Sequence, residues 1–188
     1  MLNAELVHSV KEQVSLAARE SGRQSDDVTL LVATKNQSIE KLRECVELGL
    51  NVFGENYVQE ALVKQQELAD LKIKWHLIGP LQSKKCKQVM GHFELIHSID
   101  RLSTVRQLSQ RQLPQRCQDI LIQVNVGEAV TKSGLVPRDL WAFVDEIQKL
   151  SGICMRGFMT MPPVTKSERE ARKYFASLRE LAENCQKR

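Results

Sequence analysis

Short apolar runs alternate with stretches of helical periodicity along this chain, and that alternation limits the available folds more than any other feature. Residues 28–34 are rich in β-branched side chains and apolar on both faces, the pattern of a strand buried on both faces of a parallel sheet. Behind them Ile39, Leu42, Val46 and Leu50 recur at helical spacing, with Gly49 near the end. The exchange then repeats. Residues 51–53 read as a strand closed by Gly54, and Val58, Ala61, Leu62 and Leu68 mark a helix. Residues 73–78 read as a strand closed by Gly79 and Pro80, residues 82–90 as a basic helix, and residues 93–99 as a strand. Asp100 is placed as the N-cap of a helix whose apolar face is Leu102, Val105 and Leu108. Residues 119–126 form the clearest buried strand after the first, and Pro137 opens a helix carrying Leu140, Phe143, Val144 and Ile147. Residues 153–159 are the last strand. Ser167 and Glu170 have capping-box spacing ahead of a helix lined by Tyr174, Phe175, Leu178 and Leu181. An amphipathic helix with Leu6, Val7, Val10, Val14 and Ala17 leads the chain and stops at Ser21 and Gly22.

A leading helix and six strand–helix units imply a parallel sheet with right-handed crossovers. Two closures fit: an open doubly wound sheet, or a closed barrel without its last two strands. A complete eight-stranded barrel takes about 250 residues, and this chain has 188. That length suits one domain, and neither an internal repeat nor a low-complexity linker divides it.

Charge and cysteine usage exclude several functions. The net charge of +4, from 27 basic and 23 acidic side chains, is mild and scattered, so no nucleic-acid partner is expected. Cys45, Cys86, Cys117, Cys154 and Cys185 are odd in number and widely spaced, which argues for isolated reduced thiols over a disulfide framework or a zinc site. No stretch is long and apolar enough to cross a membrane. The first 23 residues carry Glu5, His8, Lys11, Glu12, Arg19 and Glu20, which break up any signal-peptide core. A cytoplasmic location is therefore expected.

In parallel α/β folds, functional groups gather beyond the C-terminal ends of the strands. Those positions hold Lys35 after the first strand, Asn56 after the second, His76 within the third, His97 and Asp100 at the fourth, Asn125 at the fifth and Met161 at the sixth. Lys35 follows an apolar strand, where partial desolvation favours the neutral amine, the nucleophile that forms imines with aldehydes. On position alone, a strand-end lysine reaching for water is the more ordinary reading. His76, between Trp75 and Leu77, is either a core histidine or a pocket wall with a polar handle. Asn56 either lines a loop site or caps the next helix. Lys84, Lys85 and Lys87 oppose a helix dipole, either as a solvated face or as an attraction for phosphate. Lys132 lies in a polar loop at residues 128–134, where Gly134 is suited to positive φ. No dinucleotide fingerprint, P-loop or paired-histidine zinc motif is present, and no metal site is expected.

Several segments in order carry a more specific signal. They are residues 32–35, 53–60, 75–84, 97–100, 123–126 with 132–134, and 156–159. Across residues 30–163 the chain resembles the pyridoxal-phosphate homeostasis protein family, related to the N-terminal barrel of alanine racemase. The resemblance implies a (β/α)8 TIM-barrel-type fold (the pyridoxal-phosphate fold type III), here as a single domain over residues 1–188 with about six β/α units and without the last two strands. It implies pyridoxal 5′-phosphate (PLP) as cofactor, held as a Schiff base on Lys35, with Asn56 and His76 near the cofactor.

In the family, segments beyond the sixth unit cradle the cofactor phosphate and set an arginine beside the pyridine nitrogen. This sequence ends at Arg188, before either. Exposed strand edges and weaker phosphate binding are expected consequences. A racemase also needs a second base from another domain. The implied role is therefore intracellular PLP (vitamin B6) homeostasis by a non-catalytic, cytoplasmic monomer, with PLP-dependent apoenzymes as recipients. The rivals are a barrel scaffold that no longer binds PLP and a small racemase-like enzyme.

Overall fold

The structure, a computed structural model, describes residues 3–111, 117–129 and 132–188. Met1 and Leu2 of the leading segment, and Val130 and Thr131 of the polar loop, lie outside the described residues. The chain divides into two compact units, residues 1–76 and 77–188.

The first unit opens with helix α1 (Ala4–Glu20), whose N-cap Asn3 accepts a hydrogen bond from the Leu6 amide at 3.1 Å. Its inward stripe is Val7, Val10, Val14 and Ala18. The expected stripe is thus rotated slightly, since Leu6 and Ala17 are exposed. Strand β1 (Val32–Ala33), helix α2 (Ile39–Glu47), strand β2 (Val52–Glu55), helix α3 (Val58–Glu67) and strand β3 (Lys74–Leu77, whose last residue belongs to the second unit) follow in order. Lys11 donates to the Leu48 carbonyl at 2.7 Å, setting a cation against the C-terminal end of α2.

β1 is much shorter than the run at residues 28–34 suggested. It pairs in parallel with β2 only at Val32 opposite Phe53 and Ala33 opposite Gly54. It stands at the end of the strand order, paired on one side. Thr29 and Ala33 are exposed there, so the expected burial on both faces is not found. A β-branched run extends only as far as a partner strand offers hydrogen bonds.

The second unit carries a 3-10 turn (Ser83–Lys85) running into helix α4 (Cys86–Val89), then strand β4 (Leu95–Ile99), helix α5 (Leu102–Ser109) and strand β5 (Gln118–Gln123). A 3-10 turn at Pro137–Asp139, helix α6 (Leu140–Gln148), strand β6 (Ile153–Met159) and helix α7 (Glu168–Gln186) complete it. β4, β5 and β6 pair in parallel in chain order. Ile96, Ile120, Ile122 and Leu140 are wholly enclosed, and each such side chain contributes about 1.5–3 kcal/mol on leaving water. The β5–β6 register slips at Arg156, which pairs instead with the Asp119 carboxylate at 2.9 Å.

Three expectations change in this unit. The cysteines are not all isolated: Cys117 and Cys154 form a disulfide, because β5 and β6 run side by side and bring the two Cα atoms to 5.7 Å. Sequence spacing cannot show such a cross-strand approach. Asp100 does not cap α5. Arg101 is the N-cap, and the Asp100 carboxylate instead accepts the Gly134 amide at 3.3 Å. Phe175 is exposed on α7, while Tyr174, Leu178 and Leu181 are half-buried. The Ser167 cap of α7 is present, its hydroxyl accepting from the Glu170 amide at 3.3 Å. Gly134 has φ +115°, and a Cβ there would lie 2.9 Å from the Asn125 nitrogen.

Candidate functional site

The pleat sorts the first three strands into two faces. Phe53 and Trp75 meet edge to face at 5.6 Å, so they share one face of β2 and β3. Thr34 joins that face, since its hydroxyl donates to the Glu55 carboxylate at 2.6 Å. Side chains alternate along a strand. The opposite face therefore carries Ala33, Gly54 and His76, while Lys35 and Asn56 lie just past the ends of β1 and β2. The three residues singled out in the sequence thus lie in order along successive strands of the first unit: Lys35 shortly after β1, Asn56 directly after β2 and His76 within β3.

Lys35 sits in a tight turn. The Gln37 amide donates to the Thr34 carbonyl at 3.1 Å, which makes Lys35 and Asn36 the two central residues. Asn36 takes φ +57°, a conformation that asparagine tolerates better than most residues. The Lys35 side chain is exposed, and it makes no hydrogen bond or ion pair among the described residues. The expected desolvation is therefore absent, because β1 is short and one-sided and builds no apolar wall around the amine. Asn56 and His76 are half-buried. Asn56 is not the cap of α3, a position held by Tyr57.

Behind the turn lies a charged cluster that sequence reasoning missed. Lys64 of α3 is 5% exposed and donates three short bonds: to the Thr34 carbonyl at 2.6 Å, to Glu55 Oε1 at 2.7 Å and to Glu60 Oε1 at 2.7 Å. Glu60 Oε1 also accepts the Asn36 amide at 2.7 Å. Burial alone would raise the Glu60 carboxyl, but the bonds from Lys64 and the Asn36 amide, with the Lys64 charge, outweigh it and hold the group below its usual range. Glu55 is fully enclosed, and its Oε2 finds no hydrogen-bond partner among the described residues. A signal was available: Lys64 falls on the apolar stripe of α3 with Val58, Ala61 and Leu68, four residues after Glu60. A lysine on a core stripe needs a buried partner.

Other candidates are not assembled with these three in one unit. Lys84 and Lys87 are exposed in the second unit, in keeping with a solvated face. His97 lies there on β4, half-buried, and burial pushes its imidazole down to about 4. Protons then favour the unfolded chain as pH falls from 6.5 toward 4. Stability present above that window is expected to decline within it, and His97→Gln should flatten that limb of a urea-midpoint-against-pH curve. Among the described residues, no group of three or more His, Cys, Asp or Glu could hold a metal ion. No helix among them is long and apolar enough to cross a membrane.

The donor set fits a cofactor held through an aldehyde: a primary amine without competing partners among the described residues, with one amide and one imidazole at the next two strands. Comparison with known proteins defines the class. Residues 18–188 match the family model of the alanine racemase N-terminal domain. The pyridoxal phosphate homeostasis protein of Pseudomonas aeruginosa is 40% identical over 181 residues, covering 95% of this chain and 78% of that protein. PipY of Synechococcus elongatus, solved without PLP, is 32% identical with a TM-score of 0.85, covering 98% of this chain and 82% of PipY. PipY with PLP bound aligns at a TM-score of 0.77 over 92% of this chain and 81% of PipY. The chain belongs to the pyridoxal phosphate homeostasis protein family, within the alanine racemase N-terminal class of parallel β/α folds.

Proposed function

We propose that this chain binds PLP as a Schiff base on Lys35 and serves intracellular PLP homeostasis, storing and releasing the cofactor without turning over amino acids. The observation that carries the proposal is the exposed Lys35 amine, without a hydrogen bond or ion pair among the described residues and fixed in a turn just past the end of β1. The Lys35 nitrogen adds its lone pair to the aldehyde carbon, a C=N bond replaces C=O, and the oxygen leaves as water. The bound cofactor supplies that aldehyde and an electron-withdrawing ring. Asn56 offers hydrogen bonds to polar ring substituents, and His76 supplies an imidazole from the third strand. Release is the reverse, by water or by the lysine of a recipient PLP-dependent apoenzyme. A carrier of this kind acts as a monomer in the cytoplasm and requires no second base.

Titration of the purified chain with PLP, followed by visible absorption, tests this directly. A saturable band is expected, and borohydride reduction followed by peptide mapping should place the adduct on Lys35. A folded chain that develops no band would instead be a scaffold that does not bind PLP. Racemisation of an amino acid dependent on Lys35 would overturn the non-catalytic role.

A further inference from the structure

Among the described residues, Lys64, Glu60 and Glu55 make no bond to the Lys35 side chain, yet their bonds converge on the backbone immediately before and after Lys35. The Thr34 carbonyl accepts from Lys64 Nζ at 2.6 Å, and the Thr34 hydroxyl donates to Glu55 at 2.6 Å. The Asn36 amide donates to Glu60 at 2.7 Å. Lys64 then ties both carboxylates together, at 2.7 Å to each. The Thr34 amide is held in addition by the Gly54 carbonyl at 2.9 Å. The peptide groups on either side of Lys35 are therefore each held by a charged side chain, although Lys35 itself reaches solvent.

We propose that Lys64, Glu60 and Glu55 are positioning residues for Lys35, locking the turn at Thr34 and Asn36 so that the amine extends from a fixed backbone. The proposal rests on Lys35 as the Schiff-base residue. A long lysine stem has many rotamers, and an unlocked turn would add backbone freedom to them. Ordering both on capture costs free energy, and a turn already fixed removes the backbone share of that cost. The charged bonds suit the task because they are short and directional. Asn36 in the left-handed region is the position most in need of an external anchor, and Glu60 supplies it.

Glu60 gives the sharpest test, because its side chain is 25% exposed and its replacement leaves the buried Lys64–Glu55 pair intact. Glu60→Ala removes the acceptor for the Asn36 amide, whereas Glu60→Gln keeps a carbonyl oxygen there. Two readouts are needed. In the PLP-free chain, amide hydrogen exchange at Asn36 should be slow in the wild type, fast in Glu60→Ala and slow again in Glu60→Gln. In PLP titrations, Glu60→Ala should weaken Schiff-base formation by about tenfold or more, the scale seen when supporting hydrogen bonds behind a functional group are lost. Glu60→Gln should restore most of it. Leu68→Val, a core change at the end of the same helix, is the control: it should lower the melting temperature and leave capture unchanged. A wild-type band that Glu60→Ala leaves unaltered, or equal weakening by Glu60→Ala and Leu68→Val, would overturn the positioning role alone. No band in the wild type, with Asn36 still protected, would overturn the Schiff-base reading.

Discussion

Lys35→Ala is expected to abolish covalent capture of PLP while leaving the unfolding midpoint where it was. The two halves of this prediction have separate causes. Capture needs a primary amine at that position, because only nitrogen carrying two replaceable hydrogens can end as C=N with loss of water. Alanine has none. Lys35→Arg should fail equally, since a guanidinium keeps the charge but forms no comparable Schiff base. Stability is unaffected because the Lys35 side chain is exposed and makes no hydrogen bond or ion pair among the described residues. Surface changes of that kind fall within about 0.5 kcal/mol of neutral. Visible absorption with borohydride trapping checks the first half and a urea melt the second. A band of undiminished amplitude in Lys35→Ala would move the attachment to another lysine.

The second lysine of the region should behave in the opposite way. Lys64→Met is expected to destabilise the chain by about 3–5 kcal/mol, the cost of removing one partner from a buried ion pair. The side chain of Lys64 is only 7% exposed and that of Glu55 is 0% exposed, so water cannot replace the lost cation at Glu55. The Thr34 carbonyl loses a charged donor at the same time. Domains have total stabilities of about 5–15 kcal/mol, so this single change takes a large share. Adding Glu55→Gln removes the stranded charge, and the double variant should recover part of the loss. Urea midpoints of the single and double variants decide the matter. A loss below about 1 kcal/mol in Lys64→Met would mean that the pair is far better solvated than its geometry indicates.

How much of this was legible in the sequence depends on what each feature draws upon. Strand and helix order was legible because apolar periodicity is a local property. The apolar pattern at residues 153–159 predicts a strand, which is β6, and the spacing of Ser167 and Glu170 predicts the cap that Ser167 forms. Features set by a distant partner were not legible. The run at residues 28–34 looked like a long buried strand, yet β1 has a neighbour on one side and only two paired positions. The exposure of Lys35 follows from that, and no pattern within the run reveals it. Cys117 and Cys154 are 37 residues apart and meet only because two parallel strands are adjacent. Lys64 was the avoidable miss. Its place on the stripe of Val58, Ala61 and Leu68 marked it for burial, and Glu55 stood among buried residues of the neighbouring strand.

The disulfide between Cys117 and Cys154 also changes the topology of the polymer. With that bond formed, residues 117–154 are a closed covalent ring that contains β5, α6 and the polar loop between them. One cut of the backbone anywhere inside the ring opens it without releasing a fragment. The segment before Cys117 and the segment after Cys154 stay joined through sulfur.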